Sequence, residues 1–287
     1  LLLVNFFKRE IISTNFPALS YVYTKGQAFH VSYEIVLCLA ARFSKFIEGN
    51  FNSMTRIHWT LSLAIFTALS LRAQNMVPNG DFENYNDLPG ASGEWYKCEN
   101  WFNLSGEHDW PYGTPDYLSR KGSDKAKLPD CVFGKVEPYS GDAIMGFCTD
   151  YKDHEPEFRE YICNRLIMPM VVGNSYTVSF WITNGESDWL SPYSSNRFGV
   201  YFSDSVPVQQ EHEAIPYKPQ YEYPGELWTT EWKHISFTFV ADKPYEYITF
   251  GNFYPDAETE GKLYGDEDKN GSYYFIDKVE IFGRSCF

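Results

Sequence analysis

The chain has 287 residues, 24 Lys and Arg against 38 Asp and Glu, and an aromatic content of 18%. A net charge of −14 repels nucleic acid and anionic lipid, which argues against either as a partner. With 44% hydrophobic residues the chain has the means to bury a proper core.

Residues 1–53 begin with Leu and precede Met54. Within them Ile35, Val36, Leu39 and Phe43 recur at helical spacing. From Met54 the sequence reads MTRIHWTLSLAIFTALSLRAQ. Arg56 supplies a positive n-region, residues 59–71 an apolar h-region, and Ala73 a small residue before a cut. The h-region is too short for a span of roughly 20 residues. We therefore expect a secretory signal peptide over 54–73, an upstream in-frame read-through over 1–53, and a mature domain over 74–287. The first 74 residues take seven basic and three acidic side chains with them. The remainder holds 17 and 35, a net of −18. Such a surface suits an exported protein in the periplasm, on the outer surface or outside the cell. It also suits a neutral ligand or a divalent cation.

Beyond residue 74 the pattern is that of strands. The run 175–183, SYTVSFWIT, sets Tyr176, Val178, Phe180 and Ile182 against Thr177, Ser179, Trp181 and Thr183. Residues 143–148, 158–167, 198–202, 234–240, 247–250 and 272–282 complete the set. Period-two alternation with one polar face predicts an all-β, antiparallel sandwich. Asn79-Gly80-Asp81, Ser140-Gly141 and Asn270-Gly271 mark turns. Two long connections, 84–133 and 204–228, are candidates for function.

Five cysteines follow the leader's Cys38: Cys98, Cys131, Cys148, Cys163 and Cys286. None shows C-x-x-C spacing, so a zinc ribbon is not expected. In an exported chain two disulfides are expected. Cys98–Cys131 and Cys148–Cys163 are the favoured pairs, and other pairings stay open. The histidines and carboxylates form no recognisable catalytic motif, so an enzyme is not expected; a hydrolase with an unrecognised site is the remote alternative. Rings in turn-rich loops are the candidate ligand contacts, because a flat ring stacks on a sugar face while polar neighbours bind its hydroxyls. Trp110, Tyr112, Trp189 and Tyr193 are chosen on that ground.

Three motifs fit together: NMVPNGDFE at 75–83, EPYSGDAIMG at 137–146 and YYFIDKVEI at 273–281. Their order resembles the galactose-binding-like jelly-roll modules, a fold shared by several carbohydrate-binding families. With Trp101-Phe102, GTPDY at 113–117, FREY at 158–161 and ITFGNF at 248–253, the chain is closer still to an uncharacterised exported Bacteroidetes domain often found before OmpA-like domains. The resemblance implies a jelly-roll sandwich that binds a polysaccharide or glycoconjugate without catalysis. A structural or adhesive role with an envelope protein as partner is the alternative. It also implies a structural calcium ion, with Glu83 and Asp277 as the matching ligands, since calcium takes several hard oxygens around one point.

Overall fold

The structure is a computed structural model that describes residues 74–105, 114–151, 157–186, 193–264 and 271–284. The expectations for 1–53 and 54–73 lie outside these residues. The strands are β1 (Trp101–Phe102), β2 (Asp116–Ser119), β3 (Asp130–Cys131), β4 (Gly134–Lys135), β5 (Ala143–Tyr151), β6 (Ile162–Arg165), β7 (Ser175–Thr183), β8 (Tyr193–Ser195), β9 (Phe198–Ser203), β10 (Tyr221–Glu222), β11 (Lys233–Val240), β12 (Tyr247–Asn252), β13 (Gly261–Leu263) and β14 (Gly271–Arg284). Two five-stranded sheets form the body. One has the order β1-β6-β12-β9-β10, the other β11-β7-β14-β5-β2. Every pairing within them is antiparallel. From β5 onward the chain passes back and forth between the sheets: β5, β7, β11 and β14 lie in the second, β6, β9, β10 and β12 in the first. This is a β-sandwich of jelly-roll type.

The alternation read from the sequence builds the interior. Val178, Phe180 and Ile182 of β7 are fully buried, with Ile248 and Phe250 of β12 and Phe198, Val200 and Phe202 of β9 in the same cluster. Phe180 meets the Phe250 ring edge-on at 5.1 Å, and Phe202 stacks on Phe239 at 4.7 Å. Burying one such ring stabilises the fold by about 1.5–3 kcal/mol.

The expected polar outer face is found on β7 and β11 alone within the second sheet. β5 is buried on both faces. Ile144, Cys148, Tyr273 and Phe275 form an outer cluster beneath Ala126, Leu128, Phe133 and Val136. Phe133 stacks on Tyr273 at 4.4 Å. The long connection that holds β3 and β4 is thus a cover, not a free loop. Tyr273 crosses β5 at Gly146, where a Cβ would come within 2.1 Å of its hydroxyl. That hydroxyl continues to Asp116 Oδ2, 2.7 Å away. Gly146→Ala is therefore expected to displace Tyr273 and cost about 1–3 kcal/mol by overpacking. Denaturant melts of the two proteins measure this; equal midpoints would show that Tyr273 does not need the gap.

The two disulfides are corrected by the strand faces. Cys98, Cys131, Cys148 and Cys163 are all free thiols. Cys148 shares the outer face of the second sheet with Ile144, whereas Cys163 sits with Tyr161 on the outer face of the first. The sandwich core, about 10 Å thick, lies between them, and a disulfide needs Cα atoms within about 6.8 Å. Likewise Cys98 belongs to the interior cluster and Cys131 to the outer cover. Proximity along the sequence suggested pairs that the sheet assignment forbids. Cys286 lies outside the described residues.

Candidate functional site

The three sequence motifs meet at one junction. The N-terminal segment runs along β14: Met76 donates its N–H to Ile281 O at 3.0 Å, and Val279 donates to Gly80 O at 2.7 Å. A Cβ on Gly80 would lie 2.1 Å from Val279 O, so only glycine permits this approach. β14 shifts register between Asp277 and Glu280, with Lys278 left-handed at φ 51°. Here Asp277 turns toward the 140–143 turn. Its Oδ2 accepts the Ser140 N–H at 2.8 Å and its Oδ1 accepts the Lys278 N–H at 2.6 Å. Glu83 Oε1 accepts the N–H groups of Asp142 and Ala143 at 2.6 and 3.0 Å. Burial first, then the charges of Glu83 and Asp81 against hydrogen bonds from Ser140 and Lys278, push the Asp277 carboxyl up to about 7.

Glu83 and Asp277, the expected calcium ligands, are thus brought to the same turn. Three of their four oxygens already accept backbone N–H groups. Among the described residues no three His, Cys, Asp or Glu side chains are grouped to hold a metal ion. An ion there would take most of its oxygens from backbone carbonyls and water.

Beside this junction lies an aromatic surface. Trp181 projects from the outer face of β7, and His234 stands opposite it in register on β11. Their rings are 4.9 Å apart. Tyr139, the residue before Ser140, stacks on Trp181 at 3.8 Å with an interplanar angle of 15°. Trp232 approaches Tyr139 edge-on at 6.2 Å, and its Nε1 donates to Glu137 O at 2.8 Å. Arg120 pairs with Glu137 at 2.6 Å at the margin. Tyr139 is 39% exposed, and His234 is exposed too. The Asp277–Ser140 bond fixes the backbone that carries Tyr139. The group offers apolar ring area bordered by an imidazole, a guanidinium and a carboxylate.

The chosen ligand residues fare differently. Trp110, Tyr112 and Trp189 lie outside the described residues. Tyr193 is half-buried on β8, its ring so close to Gly261 that a Cβ there would come within 2.3 Å. Burial holds its phenol above the usual range. It is not part of the Tyr139 surface. Tyr139, Trp181, Trp232 and His234 escaped the sequence reading, although one signal was present. Trp181 falls on the polar face of SYTVSFWIT, where a large ring has no place in the interior.

Two further groups of ionisable side chains are largely buried within the fold. Arg159 is fully buried and pairs with Asp150 at 3.0 Å and Asp256 at 2.7 Å. Asp116 accepts Gly93 N–H at 2.5 Å, and Glu160 accepts the N–H groups of Thr114 and Cys148 at 2.9 and 2.7 Å. Both carboxylates are buried, at 2% and 5% exposure. These groups hold loops to the sandwich.

No protein-family profile matches the sequence, and no curated protein does either. Forty-nine solved chains are similar in structure. They include the enzymatically active domain of tailspike protein 4 of bacteriophage CBA120, with 12% identity over 73% of this chain and a TM-score of 0.37. This chain spans 21% of that protein. They also include TmCBM61 in complex with β-1,4-galactotriose, with 16% identity, 74% of this chain, 100% of that one and a TM-score of 0.35. The K1 cleaved adhesin domain of Lys-gingipain from Porphyromonas gingivalis W83 has 13% identity, 68% and 97% coverage, and a TM-score of 0.34.

Proposed function

We propose that this chain is an exported, non-catalytic module that binds a neutral carbohydrate through the surface of Tyr139, Trp181 and Trp232. The observation that carries the reading is the stack of exposed Tyr139 on half-buried Trp181, on an outer sheet face that the buried outer cluster does not include among the described residues. Ring area clustered at a surface marks a binding site. The face of a pyranose ring is apolar and its rim is polar, which matches flat rings bordered by His234, Arg120 and Glu137. The excess of acidic residues disfavours an anionic polymer. Export rests on the 54–73 segment. Among the described residues no helix is long and apolar enough to cross a membrane.

The experiment is a salt series on a panel of neutral and acidic polysaccharides. Ring stacking is expected to hold a neutral polymer as well at 1 M salt as at 0.1 M, although the Debye length shrinks from about 10 to 3 Å. Binding that vanishes with salt would point to a charged partner. Calcium at Glu83 and Asp277 belongs to the same proposal. The repulsion among Asp81, Glu83 and Asp277 is what a cation would relieve. Calcium at 100 times its Kd is then expected to add about 2.7 kcal/mol of stability, and Glu83→Ala to abolish the gain. Identical melting curves in calcium and in chelator would leave the junction held by hydrogen bonds alone.

A further inference from the structure

A second cleft opens at the far end of β11, between the end of β9 and the turn that leads into β12. It encloses about 240 Å3, below the roughly 300–1,000 Å3 of drug-sized sites. Its wall is again aromatic. Tyr217, 41% exposed, stacks on Tyr201 of β9 at 5.2 Å with an interplanar angle of 10°.

Three polar side chains beside these rings, Gln220, Tyr245 and Asp242, are held in advance. Gln220 mimics a strand neighbour: its Oε1 accepts Phe202 N–H at 2.7 Å and its Nε2 donates to Phe202 O at 3.0 Å. The same Nε2 donates to the Tyr245 hydroxyl at 3.1 Å, which in turn donates to Asp242 Oδ1 at 2.5 Å. Asp242 therefore presents its other oxygen from a fixed chain. Ser203 also lines the cleft, with its hydroxyl oxygen buried beneath the surface. Two lysines and two aspartates balance the charge of the lining.

From this geometry we infer that the Tyr201–Tyr217 cleft is a second carbohydrate subsite, sized for one or two pyranose rings. The sugar's apolar face lies on Tyr217, and its hydroxyls bond to Asp242 and Lys243. The stacked rings and the tethered Asp242 lose little entropy on binding, which is what a small ligand needs. The balanced charge favours a neutral sugar over a uronate. The eight residues of β11, at about 3.3 Å each, set this cleft roughly 25 Å from Trp181. One sugar ring cannot touch both. A module with two such sites joins two glycan segments, and avidity then exceeds either single affinity.

The inference rests on the carbohydrate reading, so its test separates the two sites. The 1H–15N spectrum of the protein is followed on titration with neutral tetrasaccharides of glucose, galactose, mannose and xylose. For at least one sugar, shifts are expected at the Gln220 side-chain amide and the Lys243 amide. They should persist in Trp181→Ala and weaken at least tenfold in affinity in Tyr217→Ala, a change at an exposed ring. Shifts confined to the Trp181 surface would overturn the second site and leave the first intact. Cleft shifts indifferent to Tyr217→Ala would overturn it as well. The absence of shifts at both places with every sugar would overturn both readings.

Discussion

Replacing Arg159 by Met should destabilise the domain by about 3–5 kcal/mol, the largest single effect expected in this chain. The guanidinium is fully buried. Its Nη1 donates to Asp150 Oδ1 at 3.0 Å and to Phe158 O at 2.9 Å. Its Nη2 donates to Asp256 Oδ1 at 2.7 Å and Tyr254 O at 3.1 Å. Burial works against the charge, but Asp150 and Asp256 outweigh it and hold the Arg159 pKa above its usual value. Met fills the space and leaves the buried Asp150 carboxylate without its cation, the costly way to break such a pair. Set against a typical stability of about 5–15 kcal/mol, that is roughly a fifth or more of the total. Lys should not rescue it, because one ammonium cannot reproduce the planar fork. Equilibrium unfolding in urea measures the change. A loss below about 1 kcal/mol would mean that the network is ornamental to the fold.

The second large effect is a loss of stability as pH rises from about 4.5 to 7. Burial, and then the Glu160 charge, raise the Asp116 carboxyl well above its usual range. Burial raises Glu160 to about 7, against hydrogen bonds from Cys148 and Thr114. Tyr273, Cys131 and Cys148 are the other titratable groups against the pair. Folded-state values above the unfolded ones mean that the folded protein holds protons that the unfolded chain has released. The slope of stability against pH is then negative. This stabilisation is complete below the unfolded carboxylate range, near pH 4, and gone once pH passes the folded values. For each group, one pH unit between its folded and unfolded pKa is worth about 1.4 kcal/mol. Asp277 adds a decline of the same sign. Urea midpoints at pH 5 and pH 8 test the account, and Glu160→Gln should flatten the difference. A midpoint that rises across this window would contradict it.

The interior was legible because alternation is local. Tyr176, Val178, Phe180 and Ile182 announce a buried face within nine residues, and β7 buries that face. The motifs were legible as well: NGDFE, SGDA and IDKV do converge, through Glu83 and Asp277 on the 140–143 turn. What stayed hidden is non-local. Arg159 and Asp256 are 97 positions apart, and no period links them. Which sheet β5 and β6 join decides that Cys148 and Cys163 face opposite ways, and that depends on the whole topology. The cover over β5 and β14 turned an expected polar face into a second apolar layer. Among the described residues the buried outer cluster stops short of Trp181, which stays half-buried on the outer face of β7. Choosing rings by their place in loops passed over a ring displayed by a strand.

The most direct test of the account is the affinity of Trp181→Ala for a neutral polysaccharide that the wild-type protein binds. Trp181 is half-buried beneath Tyr139 on an outer face, so its loss should lower the melting temperature somewhat but leave the core formed. As a central stacked ring it should behave as a hot spot, worth about 2 kcal/mol or more. That corresponds to a loss of at least about 30-fold in Kd. Affinity electrophoresis or calorimetry, with the folded state checked by circular dichroism, measures it. Retarded wild-type protein and an unretarded, fully folded variant is the predicted result. Equal binding by both proteins, or no binding by the wild type to any neutral polysaccharide, would contradict the account.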